Sequence, residues 1–365
     1  MRNLIITIFL TTLFAYLHEK KYTKNFFFIA TIVTLSLFIG LRTGYNDTWN
    51  YIRSFNNVEP LSEFLMDAER MHLLHNPLFY GIEAWLHGIT DNYHIYFMLF
   101  AALDSVLIIR FLKKYSYGFF SYAVFLFWGY GLGTFGLAAM KQFTAMAILT
   151  LAMEAMLEKK WMRFIIIVII AGLIHTYAFM FLVLPFFITE PWNAKIMGIC
   201  GLTAVIMYTF NSTIAAVLEY ADSVGKYVAD FEVFDGIQMN IWRVLVFAVV
   251  PMAIYVFRSR LIPQMNRMQA LLSNMSIISL MFMLLGTVNG ANMFGRLATY
   301  YVFGSICMLG WIIEQVFNEQ SKKFLITLSY VLFIGFILYD NIDFATTGAY
   351  SSITLVEFLK SILGV

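Results

Sequence analysis

The sequence has few charged residues and almost no cysteine. Asp, Glu, Lys and Arg make up 13% of its 365 residues, about half the share of a soluble domain, which excludes an ordinary soluble protein. The two cysteines, Cys200 and Cys307, lie inside apolar segments and are expected to be packing thiols. The net charge of +2 gives no case for a nucleic-acid partner. Motifs for Gly-rich phosphate loops, serine-hydrolase nucleophiles and His-Glu-x-x-His zinc sites are absent.

Apolar residues are correspondingly abundant. The chain is 61% hydrophobic and 18% aromatic, with a mean hydropathy of +0.75. Many apolar segments approach the roughly 20 residues that a helix needs to cross a bilayer. They fall at approximately 3–17, 25–41, 92–112, 118–134, 138–157, 163–188, 194–211, 241–257, 269–288, 295–316 and 322–339. The sequence therefore predicts an all-α, polytopic membrane protein.

The basic residues indicate how these segments are oriented. Most of them lie in short clusters between segments, such as Lys20, Lys21 and Lys24. Because cytoplasmic loops are enriched in Lys and Arg, these clusters predict the cytoplasmic side. Alternation of sides then requires segment 163–188 to enter the membrane and return, with a break near His175. The predicted total is about twelve crossings, in one membrane domain over residues 1–365, with both termini outside.

Two loops on the outer side are long enough to carry function, at roughly 42–91 and 212–240. The C-terminal tail, residues 340–365, is expected to lie at the outer membrane interface. Its apolar residues recur at helical spacing, as an interfacial amphipathic helix requires: Ile353, Val356, Leu359 and Leu363.

A second population of basic residues stands alone at the opposite ends of the segments: Arg42, Lys141, Arg243 and Arg296. Ionisable groups at this depth cost free energy unless they face water, a partner or a substrate. Four cations from four segments predict one anion site, which a diphosphate headgroup would satisfy. Alternatively, each cation is an interfacial anchor or pairs with a local carboxylate such as Asp47.

The outer ends also carry candidates for proton transfer and for sugar binding. His175 lies deep in an apolar segment, where it either serves the site or bonds a helix carbonyl. Asp47 is a candidate general base, an acceptor for sugar hydroxyls or an orienter of Arg42. Tyr45, Trp49 and Tyr51 either stack on sugar rings or belong to the aromatic belt of the membrane interface.

His72 and His75 lie one helical turn apart in the first outer loop, near Glu69. A metal site is one interpretation of this pair. The pattern lacks a third firm ligand, so a solvated loop helix is the favoured interpretation.

Five short motifs resemble, in order and spacing, those of the EpsG family of Wzy-type polysaccharide polymerases. They are Arg42-Thr-Gly-Tyr-Asn-Asp-Thr-Trp-Asn-Tyr51, Asn76-Pro-Leu-Phe-Tyr80, Leu137-Ala-Ala-Met-Lys-Gln142, Ala171-Gly-Leu-Ile-His175-Thr-Tyr-Ala178 and Arg296-Leu-Ala-Thr-Tyr300. The resemblance spans roughly residues 35–310. One position departs from it, because Lys141 stands where the family usually has Arg. The last motif adds Tyr300 to the candidates for sugar binding.

The resemblance implies an enzyme of the bacterial cytoplasmic membrane that acts on the outer face. Its substrates would be polyprenyl-diphosphate-linked oligosaccharides, and its partners the lipid bilayer, with a chain-length regulator and a flippase as candidates. Arg42, Lys141, Arg243 and Arg296 would hold the diphosphate, and Asp47, His175 and Arg296 would serve catalysis. No cofactor and no metal ion is predicted. A lipid-linked oligosaccharide flippase and an O-antigen ligase are the alternative functions.

Overall fold

The structure is a computed structural model that describes residues 1–22, 25–67, 69–72, 75–209, 236–346 and 349–363. It is overwhelmingly helical, so the predicted all-α polytopic class is confirmed. Contacts divide the chain into two compact units, residues 1–183 with 320–365 (unit 1) and residues 184–319 (unit 2). The single membrane domain stays a prediction. Of the predicted outer loop 212–240, residues 212–235 lie outside the described residues.

Unit 1 contains the first outer loop and the helices that precede and follow it in the sequence. Its elements are α1 (Arg2–Glu19), α2 (Phe26–Gly40), β1 (Arg42–Gly44), α3 (Thr48–Asn56), α4 (Leu61–Met66), α5 (Pro77–His87), α6 (Tyr93–Tyr115), α7 (Phe120–Gly129), α8 (Leu132–Ala138), α9 (Met140–Leu157) and α10 (Trp161–Ile174). A 3₁₀ helix, Thr176–Phe187, leads from unit 1 into unit 2. Inside unit 1, α6 packs against both α2 and α9, and α1 packs against α2 and α7.

Unit 2 begins within the 3₁₀ helix and continues to the end of the next helical bundle. It contains α11 (Ala194–Tyr208), α12 (Ile241–Val256), α13 (Arg258–Leu261), a short 3₁₀ helix (Ile262–Gln264), α14 (Arg267–Gly286), α15 (Ala291–Tyr301) and α16 (Phe303–Val316). The chain then returns to unit 1 through α17 (Glu319–Asp340), α18 (Ile342–Thr346), β2 (Ser351–Ser352) and α19 (Leu355–Leu363). Within unit 2, α14 packs against α12, α15 and α16.

Three described helices, α6, α14 and α17, are each long and apolar enough to cross a bilayer. Three bent pairs raise that number to six if each pair is one span: α7 with α8, α12 with residues 258–264, and α15 with α16. Several other apolar helices are shorter than one crossing, including α2, α10 and α11. The total of about twelve crossings therefore stays a prediction.

Asparagine side chains begin four of the helices. The amide oxygens of Asn92, Asn193 and Asn240 accept backbone N–H groups in the first turns of α6, α11 and α12. Asn266 forms a full capping box with Gln269 at the start of α14. The first N–H groups of a helix have no partner within it, so such caps satisfy them locally. These caps explain where four apolar segments begin as helices.

Segment 163–188 is broken at His175, as the charge pattern predicted. Helix α10 ends at Ile174, and His175 has an extended backbone before the 3₁₀ helix begins. A Cβ atom on Gly172 would lie 2.5 Å from the Phe179 ring. In a continuous α-helix these positions would be separated by about 10.5 Å along the axis, so the helix is interrupted here. Only a glycine lets the ring approach this closely. That the segment enters the membrane and returns stays a prediction.

Hydrogen bonds define two opposite ends of unit 1. At one end, Asn3 donates to the carbonyl of Tyr350 (3.3 Å), and Asn92 donates to the Ser361 hydroxyl (2.9 Å). At the other end of α1, Glu19 accepts the backbone N–H of Ser121 (2.9 Å). The basic residues in the last turn of α6 lie at this second end, where Lys114 pairs with Glu154 at 2.9 Å. Arg42 lies at the first end, so the isolated and clustered cations of unit 1 are separated.

The C-terminal tail returns to the first end of unit 1. Strand β2 pairs antiparallel with β1, with Arg42 opposite Ser352. Helix α19 then buries Phe358 and exposes Val356, Leu359 and Leu363. An exposed apolar face of this kind supports the interfacial location, which stays a prediction.

Candidate functional site

Six polar residues of unit 1 gather beside β1, at the end that carries the tail. We refer to them as the Lys141 cluster: Arg42, Tyr51, Tyr80, Glu83, Tyr96 and Lys141. Electrostatic interactions join Arg42 to Tyr51 and Tyr96, and Tyr96 to Glu83. The six residues of the cluster come from β1, α3, α5, α6 and the first turn of α9. Two of the four isolated cations, Arg42 and Lys141, are thereby brought together.

Arg42 is buried, with only 2% of its surface exposed. Its guanidinium donates to the carbonyl of Ile39 (2.8 Å) and to Sδ of Met140 (3.2 Å), and it lies 4.0 Å from the centre of the Phe97 ring. It forms no ion pair with a carboxylate anywhere in the described part of the chain. Asp104, the carboxylate that acts on it most strongly, instead accepts the hydroxyl of Thr144 at 2.9 Å. A buried cation without a bonded anion is costly, and a bound anion would lower that cost.

Lys141 lies in the first turn of α9 and is half-buried. Its ammonium donates to the Tyr80 hydroxyl at 2.9 Å and lies 4.8 Å from the centre of the same ring. The backbone of Lys141 also hydrogen-bonds Tyr51, whose pKa is raised to about 12 by burial. These contacts fix the start of α9 against α3 and α5.

Glu83 is a member of the cluster that the sequence analysis did not single out. It is fully buried, and its Oε2 accepts the hydroxyl of Ser54 at 3.1 Å. Burial raises the pKa of Glu83 to about 7, although Ser54 and Lys141 both act to lower it. The sequence contains a signal for this burial. Glu83 falls at helical spacing between the apolar residues Phe79 and Leu86, which lie on the buried face of α5.

Three atoms in the cluster are buried without a hydrogen bond of normal geometry among the described residues: Arg42 Nε, Glu83 Oε1 and Tyr96 Oη. Buried polar atoms are nearly always bonded to protein or to ordered water. Glu83 and Tyr96 lie within reach of each other, since the Tyr96 hydroxyl acts to lower the pKa of Glu83. Water or a ligand would complete the bonding of the remaining atom, Arg42 Nε.

The predicted sugar-binding aromatic residues occupy different environments. Trp49 is 69% exposed, whereas Tyr45, Tyr51 and Tyr300 are all buried. Tyr45 packs on the tail, with its ring centre 5.2 Å from that of Tyr350. In these positions the three tyrosines contribute to packing, and their contact with sugar stays a prediction.

Asp47 occupies the position before α3 and is half-buried. Its side chain caps no helix N–H, and it forms no ion pair with Arg42. Its charge acts on Tyr51, so it lies close to the Lys141 cluster. The expectation that Asp47 orients Arg42 therefore has no contact to support it, while its role as a base stays a prediction.

His175 lies at the break between α10 and the 3₁₀ helix. Its ring contacts that of Tyr177 edge to face, with 5.1 Å between the centres. The next residue, Thr176, donates its backbone N–H to the Asn76 side chain at 3.0 Å. Asn76 directly precedes α5, the helix that carries Tyr80 and Glu83. The break thus brings His175 to the same end of unit 1 as the cluster.

Arg243 and Arg296 belong to unit 2, in the first turn of α12 and the second turn of α15 respectively. The backbone N–H of Met239 donates to the carbonyl of Gly286 at 2.7 Å. A Cβ atom on Gly295 would lie 3.1 Å from the Met239 side chain. These contacts hold the start of α12 against the start of α15, so both arginines lie at one end of unit 2.

A family model for the EpsG family matches residues 25–354. The chain belongs to the EpsG family. This is a family of Wzy-type polysaccharide polymerases, and the membership implies a glycosyltransferase-like polymerase. Searches of curated proteins and of solved structures gave no significant match. The resemblance drawn from the five motifs is confirmed.

The match places this EpsG-family protein among membrane enzymes that build polysaccharides. It spans Arg42, the whole first outer loop, Lys141, His175, Arg243 and Arg296. The Lys141 cluster lies entirely within the matched residues, as does the break at His175. The site residues themselves are assigned by their contacts in the structure.

Proposed function

We propose that the protein polymerises polyprenyl-diphosphate-linked oligosaccharide repeat units on the outer face of the bacterial cytoplasmic membrane. The bond between the growing chain and its lipid diphosphate breaks, and a glycosidic bond forms to a hydroxyl of the incoming unit. The proton of that hydroxyl passes to a base, and the lipid diphosphate leaves. The bilayer delivers both lipid-linked substrates, while a flippase and a chain-length regulator are the expected protein partners.

One observation carries this proposal: among the described residues, the buried Arg42 charge lacks a bonded carboxylate, and it lies in the same cluster as Lys141. Family membership indicates polysaccharide polymerisation. Charge that develops on a leaving diphosphate is stabilised by cations that are already in place. Each such donor contributes about 3–4 kcal/mol in comparable sites, so the cations of the chain suffice without a metal ion.

The roles follow from this chemistry. Arg42, Lys141, Arg243 and Arg296 stabilise the diphosphate of the donor. Asp47 accepts the proton of the attacking hydroxyl, and His175 is the second candidate for that role. Support for Asp47 comes from its half-exposed position next to Tyr51, which leaves its carboxylate accessible to a substrate.

The test uses purified protein with lipid-linked repeat units as the sole substrate. We expect a ladder of polymer in the presence of a chelator, and single units only with Arg296→Ala at equal abundance. Arg260→Ala is the matched control, because Arg260 belongs to a basic cluster and donates to the carbonyl of Val316. Movement of lipid-linked units without bond formation would contradict the polymerase and favour the flippase. Activity lost with chelator and restored by a divalent ion would contradict the metal-free reaction.

A further inference from the structure

An open pocket of about 510 Å³ lies beside the Lys141 cluster, in the first outer loop. Its wall is formed by α3, α4 and α5 together with Arg70 and His75. The residues that line it are Asn50, Arg53, Ser54, Asn57, Val58, Phe64, Arg70, His75 and Tyr80. The volume falls within the range of about 300–1,000 Å³ that is usual for small-molecule sites.

Helix α3 supplies the polar side of this pocket. Asn50, Arg53, Ser54 and Asn57 recur at intervals of three, one and three residues, which places them on one helical face. The opposite face carries Tyr51, Ile52 and Phe55, all of which are buried. A loop helix of a strongly apolar protein thus turns two amides, a hydroxyl and a guanidinium towards one open cavity.

The charged groups of the pocket differ in how far they are neutralised. Arg70 pairs with Glu59 and with Asp67, each at 3.0 Å. Arg53 lines the same pocket and makes no side-chain hydrogen bond or ion pair within the described ranges of the chain. Its donors are therefore available to a ligand, together with the side-chain amide of Asn50.

The inner wall of the pocket is bonded directly to the Lys141 cluster. Ser54 donates to Glu83 at 3.1 Å, and Tyr80 accepts from Lys141 at 2.9 Å. Both Ser54 and Tyr80 line the pocket. A ligand bound there lies one side chain away from the cation assigned to the diphosphate.

We propose that this pocket binds the acceptor saccharide, the sugar portion of the incoming repeat unit whose hydroxyl attacks the donor. Amides and a guanidinium match the hydroxyl groups of sugars as hydrogen-bond donors and acceptors. The aromatic ring of Tyr80 provides an apolar surface for one face of a sugar ring. This inference rests on the proposed function and assigns the acceptor to a specific cavity.

Three single variants of α3 test it. Asn50→Ala and Arg53→Gln remove donors from the pocket, whereas Asn56→Ala alters the same helix outside it and is the matched control. All three side chains are exposed, so the fold is expected to persist. The probe is the lipid-free oligosaccharide that mild acid releases from the host's own lipid-linked repeat units. Binding to purified protein is measured by saturation-transfer NMR or by titration calorimetry.

We expect Asn50→Ala and Arg53→Gln each to weaken binding of the probe about tenfold, the usual effect of losing one strong hydrogen bond. The same two variants should raise KM for the lipid-linked unit with little change in kcat, while Asn56→Ala matches wild type. No binding by the wild type, or equal binding by all three variants, overturns the pocket assignment. If wild-type protein forms no polymer, the proposed function fails instead, so the two failures are distinguishable.

Discussion

The ammonium of Lys141 donates a hydrogen bond to the Tyr80 hydroxyl at 2.9 Å. This bond joins the first turn of α9 to α5. The two bonded residues are 61 positions apart in the sequence. The bond places the cation of α9 directly behind the wall of a pocket in the outer loop. The position of Lys141 is therefore set by the loop as much as by its own helix.

Replacement of Lys141 tests whether its charge is used in the reaction. We expect Lys141→Met to lower the polymerisation rate by about 100-fold or more, the effect of losing one preorganised charge. Lys141→Arg should retain most activity, because it keeps the cation at the position where the family usually has Arg. Lys113→Met is the control, since Lys113 lies over the Phe28 ring at the opposite end of unit 1. Equal rates in Lys141→Met and Lys113→Met would remove Lys141 from the site.

Arg42 should matter for activity more than for stability. Arg42→Met removes a buried charge that has no bonded carboxylate, so no acid is left unpaired by the change. We expect the free energy of unfolding to change by less than about 1.5 kcal/mol, the usual limit for a volume-conserving change to an apolar core residue. Polymer should nevertheless fall to single units at normal membrane abundance. Thermal unfolding and chain-length analysis measure the two effects separately, and a fully active variant would contradict the assignment.

The buried Glu83 predicts a dependence of stability on pH. Its pKa of about 7 lies above its ordinary value of 4.5, so the folded protein holds the proton more tightly than the unfolded chain. The contribution of Glu83 to the free energy of unfolding is fully present below pH 4.5 and is lost as the pH rises to about 7. The loss is at most about 1.4 kcal/mol per pH unit within that window. Glu83→Gln should flatten the profile of unfolding temperature between pH 5 and 7.

The groups that face Glu83 are Ser54, Lys141 and Tyr96, and the profile depends on all of them. Glu63→Gln, on the neighbouring helix α4, is the matched control and should keep the wild-type slope. An unchanged slope in Glu83→Gln would show that the titrating group lies elsewhere.

The break at His175 places the Phe179 ring against Gly172. Gly172→Ala would place a methyl group 2.5 Å from the Phe179 ring, so the ring must move. We expect a loss of about 1–3 kcal/mol in the free energy of unfolding, together with reduced polymer. Gly198→Ala in α11 is the control, because a Cβ atom there meets nothing within 4 Å. It should be neutral or stabilising by up to about 1 kcal/mol. Equal unfolding temperatures in the two variants would argue against a close packing requirement at Gly172.

Features that depend on local composition could be predicted from the sequence. The apolar segments and the alternation of basic clusters led to a helical membrane protein with a break at His175. The structure shows that break between α10 and the 3₁₀ helix. Five motifs were enough to place the chain in its family, and the family model matches residues 25–354.

Features that depend on contacts between distant residues could not be predicted in this way. Arg42 was expected at the membrane edge, yet Phe97 covers it and only 2% of its surface is exposed. The sequence did not single out Glu83, which α5 buries beside Lys141. Tyr45, a candidate for sugar binding, packs against the tail, and its contact with sugar stays a prediction. Each of these depends on which helix covers a residue, and no local pattern encodes that.

The pairing of β1 with β2 also has a consequence for biosynthesis. Thr43 hydrogen-bonds Ser351 across 308 residues of sequence. At about 5–20 residues per second, translation separates these two partners by roughly 15–60 seconds. During that interval the strand that carries Arg42 is in the membrane without the neighbour that completes it. The earliest part of the site is thus finished by a segment that is translated 308 residues later.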